Sequence, residues 1–418
     1  MQGALKAAIA ACCLLAVPGA AQAQEKLKIG VTATLSGALT SGGEDGVRGV
    51  QIAAKQAGNK IAGREIELII VPTDASPDSA LRAARKLVEQ DKVQIIIGPL
   101  SGSEGIALRD YAKTVPNVAI VNGSSGALET TYINPAPNFF RFNSDGAQWM
   151  AGLGEYVFKD KGYKKIAIIA EDYSFPYTQV LGFGVGYCKA GGQIVQRQWV
   201  PLGTKDFGSV IANLSDDVDA VFLGLGGGDA VNFLNQYSQT GGKAKFIGGS
   251  IMVDQTVLSS RGAAKRLLVG TPSSSGVADA WDDPKWKEWV KLYQESFPAD
   301  KRFASPSLFA TNYYNAFNAV RTALEKVNGD LSDGGAKFRA ELAKVELDAP
   351  NGKVKLDDNR QAIATTFITE VAELPNGELT NKFVKAVPNV NQTLGLDAAA
   401  FQKIGLPSRT NPECKTSY

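Results

Sequence analysis

The sequence predicts an α/β protein built as two doubly wound parallel-sheet lobes around a central cleft. Three observations carry that prediction. The chain has 418 residues, more than one hydrophobic core usually organises. Short apolar runs alternate with amphipathic helical stretches, the pattern of parallel sheets with right-handed crossovers. The alternation occurs in two blocks, joined across NPAPNFFRFNSDGAQW from residue 134.

The first 23 residues form a leader: Lys6, an alanine- and leucine-rich core, then Ala21-Gln22-Ala23, the small-x-small pattern of secretory cleavage. Gln24 is then the mature N-terminus. The box Ile9-Ala10-Ala11-Cys12 resembles a lipoprotein attachment site, but the apolar core ahead of Cys12 is too short for one. No later run reaches the ~20 apolar residues that span a bilayer, so a soluble, exported protein is expected.

The first block reads LKIGVTATL from 27, EIELIIV from 65, VQIIIG from 93 and VAIV from 118 as strands. Between them Val47, Val50, Ala54 and Ala57 fall on one helical face. Ser76-Pro77-Asp78 supplies an N-cap, a proline at the first helical position and an acid in the first turn, with Leu81, Ala84 and Val88 on the inner face. The second block reads KIAIIA from 165, DAVFLGL from 219, KFIGG from 245 and LLVG from 267. TPSSSG from 271 is a crossover. It leads to a helix whose stripe of Trp286, Trp289, Tyr293 and Phe297 is core packing before it is a ligand wall. DAPNGKVKLDDNRQAIATTFITEV from 348 reads as turn, short strand, turn and strand, and crosses back.

Composition narrows the chemistry. The chain contains no histidine, which removes the usual general base, the usual partner of a Ser or Cys nucleophile and the commonest metal ligand. No catalytic residue, metal site or cofactor is assigned. Without Lys6 the formal charge falls from +2 to +1, and no basic run offers a nucleic-acid face. Cys12 and Cys13 leave with the leader. Cys188 and Cys414 remain in an oxidising compartment, and one bridge tying down the C-terminal tail is the expected arrangement, with two separate thiols as the alternative.

In open parallel sheets ligands lie beyond the carboxyl ends of the strands. Those ends here are rich in glycine, serine and threonine: TLSGALTSGGED, GPLSGSEG, NGSSGALE, EDYSFPY, GLGGGDA and GGSIMVD. Such loops allow close backbone approach and offer neutral hydroxyls, which suits holding a small polar group without transforming it. Ser101, Gly102 and Ser103, at a helix start, can cradle a carboxylate through hydroxyls and backbone N–H groups. Alternatively Ser103 caps a helix over 104–114, with Glu104 as its first-turn acid.

At these loops the chain resembles the leucine/isoleucine/valine-type periplasmic solute-binding proteins of ABC transporters. The residues are KIGVTATLSG, GxxGVRGVQIA from Gly43 to Ala53, IIIGPLSGS, IVNGSS and KKIAIIAEDYSFPY, in order, over about residues 27–390. The resemblance implies a type I periplasmic binding fold with three hinge crossovers, and the changes in the strand–helix pattern put them near 143–146, 271–276 and 347–350. It divides the chain into lobe one (24–143 with 275–347), lobe two (144–274 with 348–395) and a tail (396–418). It also implies a periplasmic, monomeric protein that closes on its ligand and presents both lobes to the permease subunits of an ABC transporter. The ligand carboxylate then lies against Ser101 to Ser103 and Gly123, Ser124 and Ser125. Phe175, beside Tyr173 and Tyr177, closes over it, and Gly226 and Ser250 line the second lobe.

Two departures from that pattern bear on the ligand. Ser250 stands about where an acid pairs with an amino-acid ammonium, and a buried ammonium without a carboxylate is costly. Asp172 and Asp229 are the alternative partners. Near Gly42 an aromatic residue of the first binding loop is replaced by glycine, which leaves room for a larger ligand. The expected ligand is therefore a small carboxylate without an obligatory ammonium, an aromatic acid stacked near Phe175 and Tyr173; a branched-chain amino acid is the alternative. A ligand-sensing receptor and an exported α/β enzyme are the rival classes. Against the enzyme, GLGGGDA carries Asp229 where a dinucleotide fingerprint has Gly or Ala, and no GxSxG elbow occurs.

Overall fold

The structure is a computed structural model, and it describes residues 25–418. The leader and the lipoprotein box lie outside the described residues. In chain order the strands are β1 (Leu27–Thr34), β2 (Lys60–Ile61), β3 (Arg64–Thr73), β4 (Ile95–Ile97), β5 (Ala119–Val121), β6 (Phe139–Phe140), β7 (Lys165–Glu171), β8 (Gln193–Val200), β9 (Ala220–Gly224), β10 (Lys245–Gly248), β11 (Pro272–Ser275), β12 (Leu347–Ala349), β13 (Gly352–Leu356), β14 (Ala362–Glu373) and β15 (Leu379–Val390). The first six form one sheet in the order β2-β3-β1-β4-β5-β6, parallel apart from the β2–β3 hairpin. The remaining nine form the second sheet, β12-β13-β14-β11-β10-β9-β7-β8, with β15 paired antiparallel to β14.

β4 and β5 are short and buried on both faces, as the continuous apolar runs IIIG and VAIV require of central parallel strands. The helix Pro77–Arg85 starts as its residues predict: the Ser76 hydroxyl accepts the Ser79 N–H and Pro77 opens the first turn. Trp286, Trp289 and Tyr293 are all but fully buried, so the aromatic stripe of the helix Pro284–Ser296 is core.

Three elements differ from expectation. The run LLVG from 267 is not a strand: Ala264–Leu268 is a 3-10 turn that drops Leu268 into the core of lobe two. The strand comes just after it, at β11, in the stretch PSSS read as a crossover. Small hydroxyl side chains let β11 pass fully buried between β10 and β14, and weak hydrophobicity hid it. The helix after β4 covers Gly102–Ala112, two residues earlier than expected, and Ser101, not Ser103, is its cap.

The lobes are joined where Arg141–Asp145 leaves β6, where the chain leaves β11, and along β14. The third connection shows in the packing of one strand: Ala362 and Ala364 lie in the core of the first lobe with Phe317 and Leu324, whereas Val371 lies in that of the second with Phe246. Arg141 is fully buried at the first connection. It donates to the Ala127 carbonyl at 2.7 Å and to Thr131 Oγ1 at 2.6 Å, contacts the side chain of Gln361, and faces Asp145 at 3.6 Å. Cys188 and Cys414 are joined by a disulfide, which fixes the tail to the helix Ser174–Lys189.

Candidate functional site

The carboxyl ends of β4 and β5 face those of β7, β9 and β10 across the seam between the lobes. In lobe one, β4 ends in Gly98-Pro99-Leu100 and turns into the helix Gly102–Ala112 through a capping box. The Ser101 hydroxyl accepts the Glu104 N–H at 3.2 Å, and the Glu104 carboxylate accepts the Ser101 N–H at 2.9 Å. The Ser101 hydroxyl also donates to the Ala75 carbonyl at 2.8 Å, so its proton is committed within the lobe. Glu104 is fully buried, and burial raises its carboxyl above the ordinary range. Ser124, after β5, accepts from Asn312 Nδ2 at 2.9 Å, and among the described residues its own hydroxyl proton meets no acceptor.

Lobe two supplies the aromatic wall. Tyr173 and Phe175 follow β7, and Phe175 packs edge-on against Trp149 with ring centroids 5.8 Å apart. Burial, aided by the Glu171 charge, pushes the Tyr173 hydroxyl well above its usual value, so it is a neutral donor. Together with Leu39, Leu100, Gly102, Ile251, Leu308 and Phe309, these groups line a cavity with about 10 Å³ of free space, room for one water at most. The lobes are closed on each other. Gly102 sits where they nearly touch: a Cβ there would lie 2.8 Å from Ser174 Oγ and 3.0 Å from the Phe175 N.

Of the ten residues expected at the ligand, Ser101, Gly102, Ser124, Tyr173 and Phe175 line this cavity. The other five lie beside or behind it. Ser103 meets Ser174 Oγ across the seam at 3.3 Å. Gly123 gives way to the Tyr313 ring, and Ser125 donates to Asn122 Oδ1 at 2.7 Å inside lobe one. Gly226 donates its N–H to Glu171 at 2.9 Å, and Ser250 accepts from Gln179 Nε2 at 2.6 Å. Leu39, Leu100, Trp149, Ile251, Leu308 and Phe309 were not anticipated. Trp149 and Phe309 come from helices far along the chain from the loops they adjoin, and no local motif marks them.

The absent aromatic near Gly42 does not leave empty space. Phe309 fills it, so close that a Cβ on Gly42 would lie 2.8 Å from the ring. Neither alternative ammonium partner reaches the cavity. Asp172 is engaged by Arg409 and Tyr177, and the hydrogen bonds from Arg409 hold its carboxyl below the ordinary range. Asp229 accepts the Gly203 N–H at 2.6 Å. Burial and the neighbouring Asp229 charge keep Glu171 well above the ordinary carboxyl range, behind the loop of Gly226. Apart from the Tyr173 phenol, the cavity wall contains no titratable side chain.

The comparisons with known proteins agree with this geometry. Residues 26–378 match the family model described as periplasmic binding protein. Among curated relatives, Leu/Ile/Val-binding protein homolog 7 of Brucella suis is 27% identical over 407 residues, covering 93% of this chain and 96% of that one. Homolog 6 of Brucella melitensis is 24% identical over 387 residues, covering 91% and 96%. Among solved structures, an ABC transporter substrate-binding protein from Sphaerobacter thermophilus is 27% identical with a TM-score of 0.77, covering 88% of this chain and 99% of that one. A solute-binding protein of an ABC transporter from Rhodopseudomonas palustris, in complex with 3,4-dihydroxy benzoic acid, is 26% identical with a TM-score of 0.80, covering 88% and 98%. A two-lobed α/β fold with its cleft at the strand ends, and a family match over most of the chain, lead to one conclusion: this chain belongs to the periplasmic binding protein family, as a non-enzymatic solute-binding protein of an ABC transporter.

Proposed function

We propose that the protein captures a small aromatic carboxylate in the periplasm by hinge closure and delivers it to the permease subunits of its transporter. The observation that carries this reading is the cavity wall: Trp149, Tyr173, Phe175 and Phe309 surround it, and no carboxylate lines it to partner an ammonium. The Ser124 hydroxyl and the Gly102 and Ser103 N–H groups at the start of an 11-residue helix are neutral donors suited to a carboxylate. The related Rhodopseudomonas protein holds an acid of this class. Parting of the lobes opens the cavity, and the binding energy offsets the cost of holding them together.

The names of the Brucella relatives favour a second reading, a branched-chain amino acid. A thermal-shift comparison of the mature protein, freed of carried-over ligand, separates the two. Benzoate, 4-hydroxybenzoate and 3,4-dihydroxybenzoate are expected to raise Tm, by about 2.7 kcal/mol of stabilisation at a hundredfold excess over Kd, while leucine and valine leave it unchanged. A rise with leucine or valine alone overturns the aromatic reading.

A further inference from the structure

The first turn of the helix Leu308–Lys326 receives carboxylates from both lobes. From its own lobe, Asp45 accepts the Ser307 N–H at 3.1 Å. From the opposite lobe, Asp254 accepts the Leu308 N–H through Oδ2 at 2.8 Å. Its other oxygen accepts the Thr256 N–H at 3.0 Å and so caps the short helix Gln255–Leu258. Asp254 is 3% exposed, and Ile251 and Leu308 on either side of this contact are walls of the ligand cavity. Of the other bonds that cross the seam, Gly228 N–H to the Ala38 carbonyl, Ser103 to Ser174 and Leu128 N–H to Thr178 Oγ1 join neutral groups, while the Asp279 carboxylate accepts from Gln255 and the Asn381 N–H of lobe two.

We propose that Asp254 is the closure latch of this protein: carried by lobe two, it caps the long helix of lobe one across the cleft and biases the molecule toward the closed arrangement. The proposal rests on hinge closure as the mode of action and not on the identity of the ligand. The N–H groups in the first turn of a helix lack internal partners, so the Asp254 side-chain oxygen satisfies one of them, at least cost when the buried carboxyl is neutral. When the lobes part, the Leu308 N–H and Asp254 each turn to water. Closing reunites them but strips the carboxylate of its hydration.

The balance of those two effects makes the latch sensitive to pH. Burial pushes the Asp254 carboxyl up to about 7, against the lowering effect of the Thr256 and Leu308 N–H groups. Two acidic groups face it. Asp279 precedes the helix Pro284–Ser296, is pushed up to about 6 by burial, and is held by Gln255 and the Asn381 N–H. Asp45 lies beyond Ser307 and is bonded to Arg48 at 2.8 Å. Among the described residues, no lysine or arginine forms an ion pair with Asp254. A hydrated carboxyl titrates near ~4, so closing takes up a proton between about pH 4 and pH 7. The closed form holds that proton more tightly. Closure therefore strengthens as pH falls through 7 and weakens above it, the closing constant rising about tenfold from pH 8 to pH 6.

The test uses ligand-free mature protein at pH 8 and pH 6, as wild type, Asp254→Asn and Asp254→Ala. Small-angle scattering reads the radius of gyration, and amide exchange, corrected for intrinsic rates, reads peptides covering 305–312. The wild type is expected to contract and gain protection at pH 6. Asp254→Asn keeps an acceptor without the charge, so its closure should change much less between pH 8 and pH 6 than the wild type's. Asp254→Ala should stay open at both. Asp279 is common to all three, so the difference between wild type and the asparagine variant isolates Asp254. Identical scattering and exchange in all three proteins at both pH values overturn the latch. In a parallel titration with 3,4-dihydroxybenzoate, Asp254→Asn should bind several-fold more tightly than wild type at pH 8. If the wild type closes at pH 6 yet binds no aromatic acid, the ligand assignment fails and the latch stands.

Discussion

Ser101 and Ser124, 23 positions apart in the sequence, have different work in the fold. The Ser101 hydroxyl is spent on its helix and on the Ala75 carbonyl, so it is a structural group that also forms part of the wall. The Ser124 hydroxyl is held by Asn312 with its proton free. Ser101→Ala is expected to cost about 1 kcal/mol of stability, as N-cap losses do. Ser124→Ala strands the buried Asn312 amide, so it is expected to cost about 1–3 kcal/mol of stability and, unlike Ser101→Ala, to weaken 3,4-dihydroxybenzoate binding by about tenfold, the value of roughly one hydrogen bond to a charged group. Calorimetric unfolding and ligand titration of the two variants check this; equal losses of affinity without any loss of stability would return Ser101 to the ligand. The sequence marked both serines by their place after a strand. It did not tell them apart, because that depends on Ala75 and Asn312, which only folding brings alongside.

At the scale of elements, the tail after β15 is a strap fixed to lobe two that also touches lobe one. The helix Ala398–Ile404 places Phe401 edge-on against Tyr132, at 5.3 Å between ring centroids, and beside Leu128, Leu181 and Val185. Further on, Arg409 pairs with Asp172, immediately before the cavity-lining Tyr173, and its carbonyl accepts from the Trp199 indole at 3.1 Å. The disulfide closes a sequence separation of 226 residues, long enough for a substantial restriction of the unfolded chain. Replacing both cysteines by serine is expected to cost roughly 2–5 kcal/mol in denaturant unfolding. It should also loosen ligand binding by a small factor, through the freedom Arg409 and Asp172 gain. Unchanged affinity in the folded double variant would show that the strap stabilises lobe two without touching the aromatic loop. The Cys188–Cys414 bridge was legible in the sequence; the pairing of Arg409 with Asp172, 237 positions apart, was not.

For the whole molecule, closure needs connections that bend without unravelling. The first of them holds Arg141 and Asp145 with no exposed side-chain surface, tied to Gln148, Gln361 and Gln392. Burial lowers Arg141 to about 10, still charged at physiological pH, and the Asp145 charge opposes that shift. Asp145→Ala strands a buried guanidinium and is expected to cost about 3–5 kcal/mol, seen as a large fall in the denaturant midpoint. A loss below 1 kcal/mol would mean that the carbonyls of Ala127 and Ser125 suffice for Arg141. The sequence by itself determined the two-lobed α/β architecture and which strand ends face the cleft. Those follow from local periodicity, capping and composition, which a short window of residues contains. Only the tertiary structure decided that PSSS is a buried strand, that Phe309 fills the space over Gly42, that Trp149 joins the aromatic wall, and that Asp254 reaches Leu308. Each of those depends on which distant side chain occupies a given volume once the lobes have packed, and no local pattern encodes that.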